Sequence, residues 1–121
     1  MATILTVDDS PSIRQMVKMV LSSAGHDVAE AGNGAEGLEK AKAQRFDLVL
    51  TDLNMPVMNG LALIKNLRQL PALTGTPIVF LTTESDEAVK MEAKQAGATG
   101  WITKPFKPEQ LHAVVAKLVR T

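Results

Sequence analysis

"FDLVLTD", residues 46–52, is apolar at successive positions where a half-exposed strand would alternate. Such a segment needs cover on both faces, which a central strand of a parallel sheet with helices above and below it has. Outward from it, short β-branched runs alternate with longer stretches at helical spacing. "TILTV" (Thr3–Val7) reads as a first strand, and Ile13, Met16, Val17, Val20 and Leu21 behind it form one helical face. Ser10 or Ser12 can cap that helix, Pro11 suits its first turn, and Gly25 ends it. "DVAE" (Asp27–Glu30) reads as a second strand, and "GNG" (Gly32–Gly34) turns the chain into a helix reaching about Gln44, with Ala35, Leu38 and Ala41 inward. A third helix is expected from Leu61 to Leu70, ended by Pro71, before the strand "IVFLT" (Ile78–Thr82). Thr83 or Ser85 is the expected cap of the fourth helix, with Asp86 placed to complete a capping box with Thr83. The apolar face of that helix, Ala88, Val89, Ala93 and Ala96, is thin. "GWIT" (Gly100–Thr103) is the last strand, "KPFKP" the last loop, and Leu111, Val114, Val115, Leu118 and Val119 the face of the final helix. Five strand and helix pairs without a long linker predict a single parallel α/β domain over residues 1–121.

With 121 residues and 45% hydrophobic content, the chain can bury a sizeable core. Thirteen basic residues offset thirteen acidic ones, so no net field favours nucleic acid. Neither a signal-peptide pattern nor an apolar run long enough to span a bilayer follows Met1, which predicts a cytoplasmic protein without membrane insertion. A monomer is the expected state. The lack of Cys excludes thiolate catalysis, disulfides and a Cys-based zinc site.

In a parallel sheet the C-terminal ends of all strands meet at one edge, where open α/β sheets bind their ligands. That edge collects Asp8 and Asp9, Asp52, Thr82 and Thr83, then Lys104 and Pro105. Two carboxylates about 4 Å apart repel by roughly 1 kcal/mol in water and about 4 kcal/mol at an effective dielectric near 20. Mg2+ relieves such a cluster at neutral pH, using one or two carboxylates, several waters and phosphate oxygens. Lys104, a compact charge with three donors, suits a phosphoryl oxygen. Metal, anion and hydroxyl together describe a site for phosphoryl transfer.

"VDDS", "LTDLNMPVMNG", "FLTTES" and "GWITKPF", in this order at the strand ends, resemble the signature motifs of the receiver domain of response regulators, nearest to its stand-alone chemotaxis members. The resemblance covers essentially the whole chain. It implies a flavodoxin-like doubly wound sheet with strand order 2-1-3-4-5. It further implies a signalling switch, catalysing only its own phosphorylation and dephosphorylation, in which Asp52 accepts a phosphoryl group from a histidine kinase. Asp9, Asp52 and the backbone carbonyl of Asn54 would bind Mg2+, with Asp8 assisting through water. Thr82 and Lys104 would bond the phosphoryl oxygens, and the Lys104–Pro105 peptide would be cis. Trp101 matches the mobile switch aromatic, where the family usually has Tyr or Phe. Asn54 and Glu84 match the pair flanking the attacking water, which implies a short-lived acyl phosphate. Phosphorylation would draw Thr82 inward, let Trp101 fill the space, and change partner affinity on the face made by the fourth helix, fifth strand and fifth helix. The implied partners are the kinase, an output protein such as a flagellar motor switch protein, and a phosphatase. Moving a two-state equilibrium from roughly 1:99 to 99:1 needs about 5.5 kcal/mol, and two charged hydrogen bonds of about 1.5–3 kcal/mol each nearly reach it.

Plainer roles stand beside these. Asp8 and Asp9 can cap the first helix, Asp52 can start a turn, Lys104 can be a solvated amine, and Trp101 ordinary packing. His26, His112 and the scattered methionines read as structural or surface residues, and Lys90, Lys94 and Lys107 as a solvated face. "GNG" lacks the spacing of a nucleotide loop. Competing functions are a phosphatase with an Asp nucleophile, whose paired acids after strand one would be spaced D-x-D, and a flavin or nucleotide carrier, whose phosphate the two carboxylates would repel. A receiver ending at Thr121 would have no output domain and act by binding, in chemotaxis or as a phosphorelay intermediate or sink.

Overall fold

The β-branched runs form five strands, β1 (Thr3–Val7), β2 (Asp27–Ala31), β3 (Leu48–Thr51), β4 (Ile78–Thr82) and β5 (Gly100–Thr103). Each is followed by a helix: α1 (Pro11–Ser23), α2 (Gly34–Ala43), α3 (Gly60–Leu67), α4 (Glu87–Ala96) and α5 (Pro108–Leu118), with a 3-10 turn at Pro71–Leu73. The computed structural model describes residues 2–119, so the chain end at Thr121, on which the expected lack of an output domain rests, lies outside it. All strand pairs are parallel and the order is β2-β1-β3-β4-β5, the expected flavodoxin-like topology.

The run of apolar residues Leu48, Val49 and Leu50 in β3 has a direct cause. Val49 faces a core built with Leu5, Val7, Ile78, Phe80 and the inner sides of α2, α3 and α4. Leu48 and Leu50 face a second core of Ile4, Val79, Leu81 and Ile102 under α1 and α5. Alternate residues thus fill opposite cores, and all four residues of β3 are buried.

The elements depart from expectation mostly at their ends. β3 is shorter than residues 46–52, preceded by Asp47, whose carboxylate accepts the Thr3 N–H at 2.9 Å, and followed by Asp52. Strand β2 runs one residue further, to Ala31. Helix α3 begins at Gly60, where the Asn59 side chain accepts the Ala62 N–H at 2.8 Å, and stops at Leu67, three residues before Leu70. The cap of α4 is neither Thr83 nor Ser85 but Asp86, whose carboxylate accepts the Ala88 N–H at 2.8 Å. The preceding loop has other partners: the Thr82 hydroxyl accepts the Glu84 N–H, and the Glu84 carboxylate accepts those of Ser85 and Asp86. The face of α4 is thin, with Ala93 its one buried residue and Ala88 exposed. In α2, Gly34 and Gly37 are buried with Ala41, Gly37 against Val7 of β1 and Gly34 against Met58, while Ala35 and Leu38 of the expected face are partly exposed.

Two features lay outside local pattern. Arg68, at the end of α3, donates to the carbonyls of Leu73 (2.6 Å), Thr76 (2.7 Å) and Gly97 (2.7 Å), so one guanidinium ties the 3-10 turn, the approach to β4 and the end of α4 together. Val57, in the loop after β3, sits at φ 69 although it is β-branched and exposed. Relieving that backbone at a position without buried contacts should stabilise the protein, and Val57→Gly is expected to raise stability by about 0.5–1 kcal/mol after the entropy of glycine is counted. A urea midpoint equal to or below the wild type's would show that the loop does not relax this way.

Candidate functional site

Strand geometry places each acid. Asp8 directly follows β1, its N–H bonded to the Ala31 carbonyl at 3.0 Å, and Asp52 directly follows β3, its N–H bonded to the Val7 carbonyl at 2.9 Å. The two are thereby neighbours at one edge, and one carboxylate oxygen from each of Asp8, Asp9 and Asp52 lies within 4.8 Å of the others. Lys104 follows β5, held by its N–H to the Thr82 carbonyl at 2.8 Å, and the Lys104–Pro105 peptide is cis. Its ammonium reaches across the edge to Asp8 Oδ2 at 2.7 Å and Asp52 Oδ2 at 3.3 Å. The other oxygens are taken by backbone donors: Asp8 Oδ1 accepts the Ser10 N–H at 2.9 Å and Asp52 Oδ1 the Leu53 N–H at 2.7 Å. Ser10 also caps α1 through its hydroxyl, so the acid pair is the lead into a cap without being the cap itself.

Asp8 is 2% exposed while Asp9 is exposed, and the two adjacent carboxylates therefore differ in character. Burial pushes the Asp8 carboxyl above the usual aspartate value and the Asp52 charge adds to this, against the opposing bonds from Lys104 and Ser10. The folded chain thus holds the Asp8 proton more tightly than the unfolded chain. This contribution to stability is complete below the unfolded value of 3.8 and is lost as pH rises through the higher folded value. In chelator, the urea midpoint is expected to fall over the pH range just above 3.8, and Asp8→Asn is expected to remove that part of the slope. A variant with the wild-type slope would place its source in other groups.

Three hard oxygen donors, one buried, one partly buried and one open to water, fit Mg2+, which takes few carboxylates and retains waters. A single ammonium shared by two of the acids leaves negative charge in excess, which a divalent cation would offset.

Thr82 ends β4 on the same edge, fully buried, with its hydroxyl oxygen accepting the Glu84 N–H at 3.3 Å and its O–H free to turn. The Asn54 and Glu84 side chains are not joined to the acid cluster: Asn54 is exposed and the Glu84 carboxylate is folded into its own loop. Trp101, on β5, packs on Phe80 with ring centroids 5.4 Å apart and donates its Nε1–H to the Glu84 carbonyl at 3.1 Å. Lys90 of α4 lies over its ring at 5.7 Å. The indole thus links β5, the β4–α4 loop and α4. His26 is structural, its Nδ1 accepting the Ala2 N–H at 3.1 Å. A cleft of about 660 Å³ lined by Arg45, Asp47, Pro77 and Lys117 lies at the opposite edge of the sheet and shares no residue with the acids.

Two supporting residues were not singled out by the sequence. Gly60 starts α3 where a Cβ would collide with the Asp52 carbonyl and the Phe80 ring. Arg14 on α1 donates to the Asp8 carbonyl and to Glu30. The glycine following "MN" was a usable signal for the first; the partner of the second, on β2, is visible only in the fold.

Residues 4–116 match the family described as the response regulator receiver domain. Among curated relatives, the DNA-binding response regulator MtrA of Mycolicibacterium smegmatis is 41% identical over 117 residues, which is 97% of this chain and 50% of MtrA, so the chain spans about half the length of that relative. Among solved structures, chemotaxis protein CheY4 of Vibrio cholerae superposes with a TM-score of 0.95 at 47% identity, covering 98% of this chain and 99% of that one. The response regulator TrrA of Thermotoga maritima, in complex with Mg(2+)-BeF, gives a TM-score of 0.88 at 33% identity over 98% of this chain and 100% of its own. Among the described residues no helix is long and apolar enough to cross a membrane.

Proposed function

The chain belongs to the response regulator receiver domain family, the signalling switches of two-component systems, and from that premise we propose that it is phosphorylated on Asp52 by a histidine kinase and thereby changes its affinity for a protein target. The observation that carries this proposal is the Lys104 ammonium bridging Asp8 and Asp52 at the edge where three carboxylates converge. Asp52 Oδ1 accepts the Leu53 N–H, so Oδ2, whose hydrogen-bond partner among the described residues is Lys104, is the attacking atom in this reading. The Oδ2–phosphorus bond forms as the bond from phosphorus to the kinase imidazole nitrogen breaks, and that nitrogen keeps the electron pair. Asp9, Asp52 and the Asn54 carbonyl would hold Mg2+ with Asp8 behind them, and the bound ion supplies positive charge to the phosphoryl oxygens.

Lys104 already spends two contacts on the acids, so its gain on binding a phosphoryl oxygen is the difference between partners and less than a whole bond. Thr82 differs, because its hydroxyl only accepts, from the Glu84 N–H, among the described residues, so a bond from its O–H to a phosphoryl oxygen displaces no protein contact. Since the Glu84 N–H rests on that hydroxyl and the Glu84 carbonyl on Trp101, drawing Thr82 toward Asp52 moves the loop that leads into α4. The output is a change on the face of α4, β5 and α5. The 47% identity to chemotaxis protein CheY4 supports a role in chemotaxis, and a flagellar motor switch protein is the output target proposed on that reading. For Asn54 and Glu84 to tune the phosphoryl lifetime, the Glu84 carboxylate must first leave the Ser85 and Asp86 N–H groups.

Incubation with acetyl phosphate and Mg2+ is expected to give one alkali-labile phosphoryl adduct by intact mass, mapped to Asp52 and absent in chelator. Failure to detect any labile adduct under conditions where Mg2+ binds would overturn the proposal.

A further inference from the structure

We infer that Arg14 is a positioning residue for the cation site, holding the peptide that carries Asp9 in the orientation Mg2+ requires; this rests on the metal-site assignment proposed above. Arg14 lies in the first turn of α1 with its side chain 20% exposed. Its Nη1 donates to the Asp8 carbonyl and its Nε to Glu30 Oε1 at 3.3 Å, near the end of β2. A planar fork with two fixed donors is suited to such a pair of acceptors. Asp8 is then held at four points: its N–H by Ala31, its carbonyl by Arg14, and its two carboxylate oxygens by Ser10 and Lys104. Asp9 is exposed, and among the described residues its carboxylate has no hydrogen-bond partner. The Asp8 carbonyl belongs to the peptide that carries the Asp9 Cα, and that peptide is rigid about its C–N bond, so its tilt fixes the point and axis from which the Asp9 side chain starts. Arg14 sets that tilt.

Charge alone predicts the opposite result. A guanidinium near a cation site repels the metal, so removing it should tighten binding. Here, however, the Arg14 charge is partly offset by Glu30 at 3.3 Å, a carboxylate it shares with Lys18 at 3.7 Å. Arg14 also bonds the Asp8 carbonyl directly, so loss of that positioning outweighs loss of the partly offset charge and weakens the metal. Partners one step behind a ligand typically set metal affinity by about 10–100-fold. Mg2+ demands near-octahedral oxygens, whereas Ca2+ accepts irregular ones, so the loss falls mainly on Mg2+.

Mg2+ and Ca2+ titrations of the whole chain, followed by Trp101 fluorescence and independently by calorimetry, test this, with urea midpoints in chelator measured alongside. Arg14→Gln is expected to weaken Mg2+ about tenfold or more while changing Ca2+ by a smaller factor, so that the Mg2+/Ca2+ affinity ratio falls. Arg14→Lys, which keeps the charge and one donor, is expected to fall between this and the wild type, and provides the measurement should Arg14→Gln not fold. Mg2+ affinity that is unchanged or tighter in the variants, or Mg2+ and Ca2+ weakened by the same factor, would overturn the role of Arg14 while leaving the metal site standing. A wild-type chain that binds no Mg2+ would overturn both.

Discussion

Asp52→Asn is expected to abolish the labile phosphoryl adduct completely under conditions that saturate the wild type. Asn keeps the size of the side chain and can still accept the Leu53 N–H, now held at 2.7 Å by Asp52 Oδ1, so the loop into α3 has no reason to move. What disappears is the anionic oxygen facing Lys104, and a neutral amide is not a nucleophile toward phosphorus. Loss of a metal ligand should only slow uptake, so a total loss separates the acceptor from its neighbours Asp8 and Asp9. The same change removes one of three carboxylates whose mutual repulsion is roughly 1–4 kcal/mol per close pair. It also removes a 3.3 Å contact to Lys104, which still keeps its shorter 2.7 Å bond to Asp8. In chelator, the urea midpoint of Asp52→Asn is therefore expected to be no lower than that of the wild type. An alkali-labile adduct forming on the variant at the wild-type rate would place the acceptor on another side chain.

Gly60→Ala is expected to be the most damaging single methyl group among the described glycines of the site. A Cβ there would lie 2.7 Å from the Phe80 ring and closer still to the Asp52 carbonyl, a backbone atom that cannot swing away. Either α3 retreats from the sheet or the Asp52 backbone shifts. Overpacking of this kind costs about 3 kcal/mol, on the order of 10 °C in Tm for a domain of this size. Because the colliding carbonyl belongs to Asp52, the folded fraction should also lose Mg2+ affinity. Gly75 is the control, since a Cβ there meets nothing within 4 Å, and Gly75→Ala should be neutral or slightly stabilising. Equal melting temperatures for the two variants would mean that α3 yields without penalty.

The parallel α/β class and the identity of the edge residues were readable because both follow from local rules, whereas the strand order came from the resemblance and not from the residues. Leu48, Val49 and Leu50 of β3 are apolar in succession since alternate residues enter opposite cores, and strand polarity alone then brings Asp8, Asp52, Thr82 and Lys104 to one edge. The α4 cap was misplaced because Thr83 and Ser85 match capping chemistry locally, whereas the Thr82 hydroxyl and Glu84 carboxylate hold that loop extended until Asp86. Arg14 and Arg68 escape a sequence reading for another reason: most of their acceptors are backbone carbonyls, which carry no residue signature, and the Glu30 carboxylate that Arg14 also meets is 16 positions away while Arg68 reaches one carbonyl 29 positions away. The direction of Glu84, folded into its own loop and not toward the acids, depends on two neighbouring N–H groups that any sequence would offer.

Arg68 gathers the carbonyl ends of the 3-10 turn and of α4 on one cation, the sign that helix C-termini favour. Helix α4 is consequently anchored at its last turn, while its first turn hangs on the Thr82–Glu84–Trp101 chain. A rod fixed at one end pivots and does not slide. Ten residues at about 1.5 Å each make a lever of about 15 Å, so a tilt of roughly 4° carries the first turn about 1 Å while Gly97 stays still. Residues near Glu87 then sweep through the largest arc and those near Ala96 the smallest, which grades the surface of this helix from responsive to inert along its length.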